Sequence, residues 1–102
     1  MAAVSDNDGS GEVLLVAIVE MADGGAEAGQ RYEDYVLGLL GRHGGSLERR
    51  TRTADSATEV HLIRFGDRAG YESFLSDPDR LRYREQIGRQ APATRVLEVR
   101  DV

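Results

Sequence analysis

Apolar and polar residues alternate along this chain with two different periods, and each change of period marks an element. Residues 12–20 are short enough for a strand and apolar on both sides, with Leu14, Val16 and Ile18 on one face and Val13, Leu15, Ala17 and Val19 on the other. Such a strand belongs at the centre of a sheet that is covered twice. After the turn Asp23-Gly24-Gly25 the period lengthens. Tyr32, Tyr35, Val36, Leu39, Leu40 and His43 form one stripe of an amphipathic helix, predicted over 27–43. Gly44-Gly45 ends it, because glycine tolerates the left-handed backbone of a helix terminus.

A polar strand follows over 46–53, then a turn at Ala54-Asp55-Ser56-Ala57 and a returning strand over 58–65, together a hairpin. Alternation on the third strand puts Glu59, His61, Ile63 and Phe65 on one face. Asp67 is a helix N-cap before the stripe Tyr71, Phe74 and Leu75. Asp77-Pro78 restarts the helix, a cap followed by proline at the first helical position. The restarted helix is predicted over 78–89 with Leu81, Tyr83 and Ile87, and Ala91-Pro92 stops it before a last strand over 95–100.

Strand, helix, two strands, broken helix, strand is the order of a ferredoxin-like βαββαβ domain. It predicts an α+β fold with a four-stranded antiparallel sheet and helices on one face. Residues 1–11 are small and polar and read as a disordered leader, leaving 12–102 as a single domain. The helices of one chain cover one face only. A second copy of the sheet is the simplest cover for the other, so a homodimer through the sheet face is expected.

Composition removes several chemistries. The chain of 102 residues has no Cys, so thiolate catalysis, thiolate metal sites and disulfides are excluded. Its 13 basic residues are all Arg, which excludes a Schiff-base or P-loop lysine. Two His cannot build a three-His metal site, and no GxGxxG, P-loop or HExxH pattern occurs, so no metal or cofactor is expected. The net charge of −5 opposes nucleic-acid binding. The Arg80, Arg82, Arg84 and Arg89 cluster is flanked by Asp77, Asp79 and Glu85 and reads as a solvated helix face. No apolar run approaches the roughly 18 residues of a membrane span, and no secretory signal is evident, so a cytoplasmic location is expected.

The 32–40 stripe, the His43-Gly44-Gly45 stop, the 60–65 strand, Asp67 to Leu75, Asp77-Pro78 and Val96-Leu97-Glu98-Val99 together resemble the dimeric α+β barrel superfamily. It includes antibiotic-biosynthesis monooxygenases, small polyketide cyclases and short families of unknown function. The resemblance covers 12–102. It implies a barrel of two sheets packed face to face, with a pocket between each sheet and its own helices. Quinol-oxidising members commonly have a pocket Trp and Asn. This chain has no Trp, and its single Asn is Asn7 in the leader.

His61 is the first candidate for chemistry. An imidazole titrating near pH 6.5 can remove a proton next to a carbonyl or from a phenol. The plainer reading is a half-buried strand His bonded to a neighbour, or one facing the dimer interface. Arg49 is its candidate oxyanion partner and Arg64 a second anion-holding group, each also explained by cross-strand pairing with Glu48, Glu59 or Glu98. Tyr32, Tyr35, Phe65, Tyr71 and Tyr83 are candidate pocket walls, with core packing the plain alternative. His43 is a candidate ligand contact or, at a helix C-terminus, a capping cation. Glu20 is a base only if buried.

Two functions fit this inventory. The first is a cofactor-independent enzyme acting by proton abstraction on a small aromatic or polyketide-like molecule, as a cyclase, isomerase or monooxygenase. The second is a non-catalytic homodimeric ligand-binding or accessory protein. A cavity on the order of several hundred Å³ with His61 on its wall would favour catalysis, and a closed apolar core between sheet and helices would favour a structural role only.

Overall fold

β1 (Val13–Glu20) runs through the middle of the sheet, as two apolar faces require. The computed structural model describes residues 11–102, so nearly all of the expected leader lies outside the described residues. After β1 come α1 (Ala26–Leu37), a 3-10 turn (Leu40–His43), β2 (Gly45–Arg52) and β3 (Thr58–Phe65). Then follow α2 (Arg68–Leu75), α3 (Pro78–Ile87), a 3-10 turn (Gly88–Gln90) and β4 (Ala93–Val99). The strands pair antiparallel in the order β2-β3-β1-β4, and this is the ferredoxin-like βαββαβ topology.

The expected caps are in place. The Asp67 side chain accepts from the Gly70 N–H at 2.8 Å, and Asp77 accepts from the N–H groups of Asp79 at 2.8 Å and Arg80 at 3.4 Å. Each carboxylate thus satisfies donors that a helix start leaves free. Gly44 takes the left-handed conformation at φ 72°. Gly45 is glycine for a different reason, since a Cβ there would sit 2.7 Å from the Phe65 ring.

Three boundaries differ from expectation by more than a single residue. The first helix is not continuous over 27–43: α1 stops at Leu37, and the chain tightens at Gly38, whose N–H bonds the Tyr35 carbonyl, into the turn ending at His43. Gly38 and Gly41 in one segment weaken α-helix enough for the tighter geometry to take over. α3 likewise ends at Ile87, followed by its own 3-10 turn, and β4 begins at Ala93, two residues before the predicted start.

Val13, Leu15, Ala17 and Val19 from β1, with Ile63 and Phe65 from β3, form the covered face, closed by Leu39, Leu40 and Phe74. Phe65 is the hub, with ring centroids of Tyr71 and Phe74 at 5.5 and 5.7 Å. On the opposite face Leu14 is buried, Val16, Ile18 and Leu62 are half-buried, and Val60 and Leu97 are 37% and 41% exposed.

Phe65→Ala is expected to cost about 3–5 kcal/mol, the range for emptying a buried aromatic site. Leu81→Ala, at a residue 45% exposed, is expected to change stability by less than about 0.5 kcal/mol. Urea unfolding of the two variants checks the contrast.

Candidate functional site

Between the covered sheet face and the three helices lies a cavity of about 70 Å³, opening into a cleft of about 590 Å³ with its mouth included. One water needs roughly 10–15 Å³ by the same measure, so the interior admits a few waters or one ring-sized fragment. Leu15, Val36, Ile63, Phe65 and Phe74 make its walls apolar. Tyr32, Glu33 and His61 also line it, with Arg80 and Arg84 from α3.

His61 reaches this wall because β3 alternation holds it between Glu59 and Ile63, opposite Ala17 on β1. It is 1% exposed, and its Nε2 lies 2.8 Å from Glu59 Oε1. Glu59 is fully buried and also accepts from Arg50 Nε at 2.8 Å and from Arg52 Nε at 2.8 Å. Burial alone would raise its carboxyl. The hydrogen bonds from Arg50, His61 and Arg52 outweigh burial and hold it down at about 2. An ionised Glu59 can only accept, so the proton of His61 sits on Nε2 and Nδ1 keeps its lone pair. Burial pushes the His61 pKa down, against the pull of Glu59, which leaves the ring neutral at pH 7.

That lone pair faces Glu33, whose Oε1 is 3.9 Å from Nδ1. Glu33 is 5% exposed, and burial together with the negative Glu59 lifts its carboxyl to about 7, against Arg50, Arg80 and Arg84. A neutral imidazole and a carboxyl poised near neutrality therefore share one wall. A proton can pass between them through a small shift or one water. Beside them the Tyr32 hydroxyl is buried with no hydrogen-bond partner among the described residues.

The expected oxyanion partner is misplaced by one residue. β2 carries a register shift between Leu47 and Arg49, so that Leu47 pairs with Ile63 but Arg49 pairs with Leu62 and Arg50 with His61. The bulge at Glu48 exchanges the two faces of the strand beyond it. Arg49 is therefore exposed on the far side of the sheet, and Arg50 takes the covered position, bonding Glu59 and also Asp34 of α1 at 2.7 Å. Arg64 is on the far side too, held by Glu48 and Glu12, the cross-strand alternative.

Of the remaining candidates, Tyr32, Phe65 and Tyr71 line the cavity, whereas Tyr35 and Tyr83 do not. Tyr83 packs edge-on against Tyr32 at 5.5 Å and against Tyr35 at 5.1 Å, bracing α3 on α1. His43 is outside the cavity lining. Its Nε2 lies 2.7 Å from Asp77 Oδ2 and its Nδ1 2.8 Å from Ser73 Oγ. It braces the cap of α3 and not the end of its own helix. Glu20 is exposed and outside the lining. Glu33 is not among the sequence candidates; its signal is the helical spacing of Gly29, Tyr32, Glu33 and Val36, all buried.

Among the described residues no group of three or more His, Asp or Glu is placed to hold a metal, and no helix is long and apolar enough to cross a membrane.

Neither a protein-family model nor a curated protein matches the chain. Solved structures do. Rv0793 from Mycobacterium tuberculosis is 22% identical, with 89% of this chain and 97% of that chain covered and a TM-score of 0.68. A candidate antibiotic biosynthesis monooxygenase from Nitrosomonas europaea is 12% identical, with coverages of 88% and 89% and a TM-score of 0.70. SnoaB, a cofactor-independent oxygenase from Streptomyces nogalater, is 17% identical, with coverages of 89% and 95% and a TM-score of 0.63. At these identities the likeness is one of fold. The chain shares the ferredoxin-like fold of these structures.

The raised Glu33 carboxyl gives a stability signature. Its folded pKa of about 7 lies above the ordinary 4.5, so the folded state holds a proton that the unfolded state releases, and stability falls as pH rises through that window. The depressed His61 acts oppositely just below pH 6.5, its stability being present above that pH and lost on acidification. Glu33→Gln removes only the first effect. Relative to wild type, its urea midpoint should be unchanged or lower at pH 4.5 and higher at pH 8.

Proposed function

We propose that this protein is a cofactor-independent enzyme of small-molecule metabolism that removes a proton from an aromatic or polyketide-like substrate. The observation that carries this reading is the buried His61–Glu33 pair on the cavity wall. His61 Nδ1 accepts the substrate proton, Glu59 stabilises the imidazolium through Nε2–H, and Glu33 relays the proton onward. The carbanion or enolate left behind can cyclise or isomerise. With molecular oxygen as co-reactant, a methylene carbanion adds O2 to give, after protonation, a hydroperoxide, and loss of water leaves a carbonyl. Structural neighbours named as monooxygenases and as a cofactor-independent oxygenase support this class of chemistry. The missing Trp and the leader position of Asn7 mean that this chain would use a different set of side chains from the quinol-oxidising members.

His61→Ala is expected to lower turnover about 10²–10⁴-fold, the usual contribution of a positioned base. The assay is solvent-deuterium exchange at carbon over a panel of single-ring phenols and 1,3-diketones, with oxygen uptake followed in parallel. Undiminished exchange in the variant, with wild-type exchange detectable, would remove His61 from the reaction. A non-catalytic ligand-binding protein is the second reading, favoured by the small apolar interior. Binding of the same panel with no exchange and no oxygen uptake by wild type would identify it.

The uncovered sheet face supports a homodimer. Leu14, Val16, Ile18, Val60, Leu62 and Leu97 share that face by register, and two copies facing each other would remove them from water. Sedimentation is expected to give a dimer mass, and Leu97→Glu, at an exposed position on the edge strand, a monomer. A monomeric wild type at micromolar concentration would refute the dimer.

A further inference from the structure

α3 contributes two cations to the cavity wall. Arg80 and Arg84 are four residues apart on one helix face, and both line the cavity. The Arg80 guanidinium lies 5.3 Å from the centre of the Phe74 ring and donates to the Leu75 carbonyl at 3.0 Å. The Arg84 guanidinium lies 6.0 Å from the centre of the Tyr32 ring. Neither forms an ion pair among the described residues, whereas Arg82, between them on the same helix, pairs with Asp79 at 2.7 Å. α3 thus neutralises the guanidinium that points away from the cavity and leaves open the two that line it.

The surroundings restrict what those cations can meet. Phe65, Phe74 and Tyr32 present ring surfaces, and the interior suits a single ring. The Tyr32 hydroxyl, buried without a partner, needs a polar atom from elsewhere. Arginine pairs bind carboxylates through charge-assisted hydrogen bonds and discriminate strongly against neutral isosteres where water is excluded.

We infer that Arg80 and Arg84 receive an anionic group, and that the ligand of this cavity is a small aromatic acid whose carboxylate lies at α3 and whose ring lies against Phe65 and Phe74. This rests on the proposed reading only in placing the ligand in the same cavity. It names the substrate class without assuming proton transfer. An arriving carboxylate also acts on Glu33, whose charge Arg80 and Arg84 otherwise favour, and drives it toward its protonated form.

The test is a chemical-shift titration of the full chain with 4-hydroxybenzoate and with 4-hydroxybenzamide, which match in shape and differ in charge. The acid should bind at least about tenfold more tightly, with shifts at Val36 and Ile63 marking the cavity, a preference of about 1.4 kcal/mol. Arg80→Gln with Arg84→Gln should bring the two ligands within about twofold, and Arg80→Lys with Arg84→Lys should retain most of the preference. Equal affinities in wild type, a preference surviving the glutamine pair, shifts mapping to the opposite sheet face, or no binding of the acid at about 10 mM would each overturn the inference. His61→Ala separates the two readings. If it leaves turnover intact while the acid still outbinds the amide, the catalytic assignment falls and the anion site stands.

Discussion

The structure around the cavity is organised by one buried carboxylate. Glu59 is fully buried, and an unpaired charge in that position would cost several kcal/mol of desolvation. Three donors on two strands prevent that cost: Arg50 and Arg52 from β2, and His61 from β3 itself. Arg50 then reaches Asp34 on α1, so one ion network ties the edge strand, its neighbour and the first helix together. The position of the imidazole is a by-product of satisfying that charge. Its tautomer is fixed, and its remaining nitrogen lies beside Glu33 on the same wall, 3.9 Å from Oε1.

Glu59 and Glu33, on either side of His61, differ by environment and not by chemistry. Glu59 is surrounded by guanidinium and imidazole N–H groups and stays ionised, while Glu33, on a helix face packed against apolar residues, is pushed toward neutrality. Like carboxyls driven apart in pKa are the usual basis for dividing acid and base roles within one site. A second and independent device holds the roof. His43, Arg42 and Ser73 gather around Asp77 and its neighbours, fixing the start of α3 where it follows α2. α3 itself buries no residue, so it is attached by that cap, by Tyr83 between Tyr32 and Tyr35, and by Arg80 and Arg84 over the Phe74 and Tyr32 rings.

Much of this was legible in the sequence. The period change between residues 12–20 and 27–40, the two Asp caps and the Gly44 stop gave the elements, and alternation on β3 placed Glu59, His61, Ile63 and Phe65 on the covered face. What failed was information that resides between strands. Regular alternation gives no sign that Arg50 and not Arg49 faces inward, because a bulge leaves no mark in a run as polar as Ser46 to Thr53. Glu33 escaped for the opposite reason. It sits squarely within the helical stripe of Gly29, Tyr32 and Val36, but an acidic residue is ordinarily assigned to the wet side, and only the tertiary fold shows it covered. Arg80 and Arg84 likewise have the sequence pattern of a solvated cluster, and only the packing of α3 over the cavity brings them to its wall.

The Glu48 bulge also bears on how this chain can be compared with others. Strand faces have a period of two, so a single extra residue transposes every later position, and here that covers Arg49 to Arg52. A residue-by-residue alignment to a relative without the bulge would set that relative's cavity-facing side chain against Arg49, which faces the other way. Against such a relative the equivalent positions of β2 would be offset by one, and identity counted without that offset would compare the inside of one protein with the outside of another.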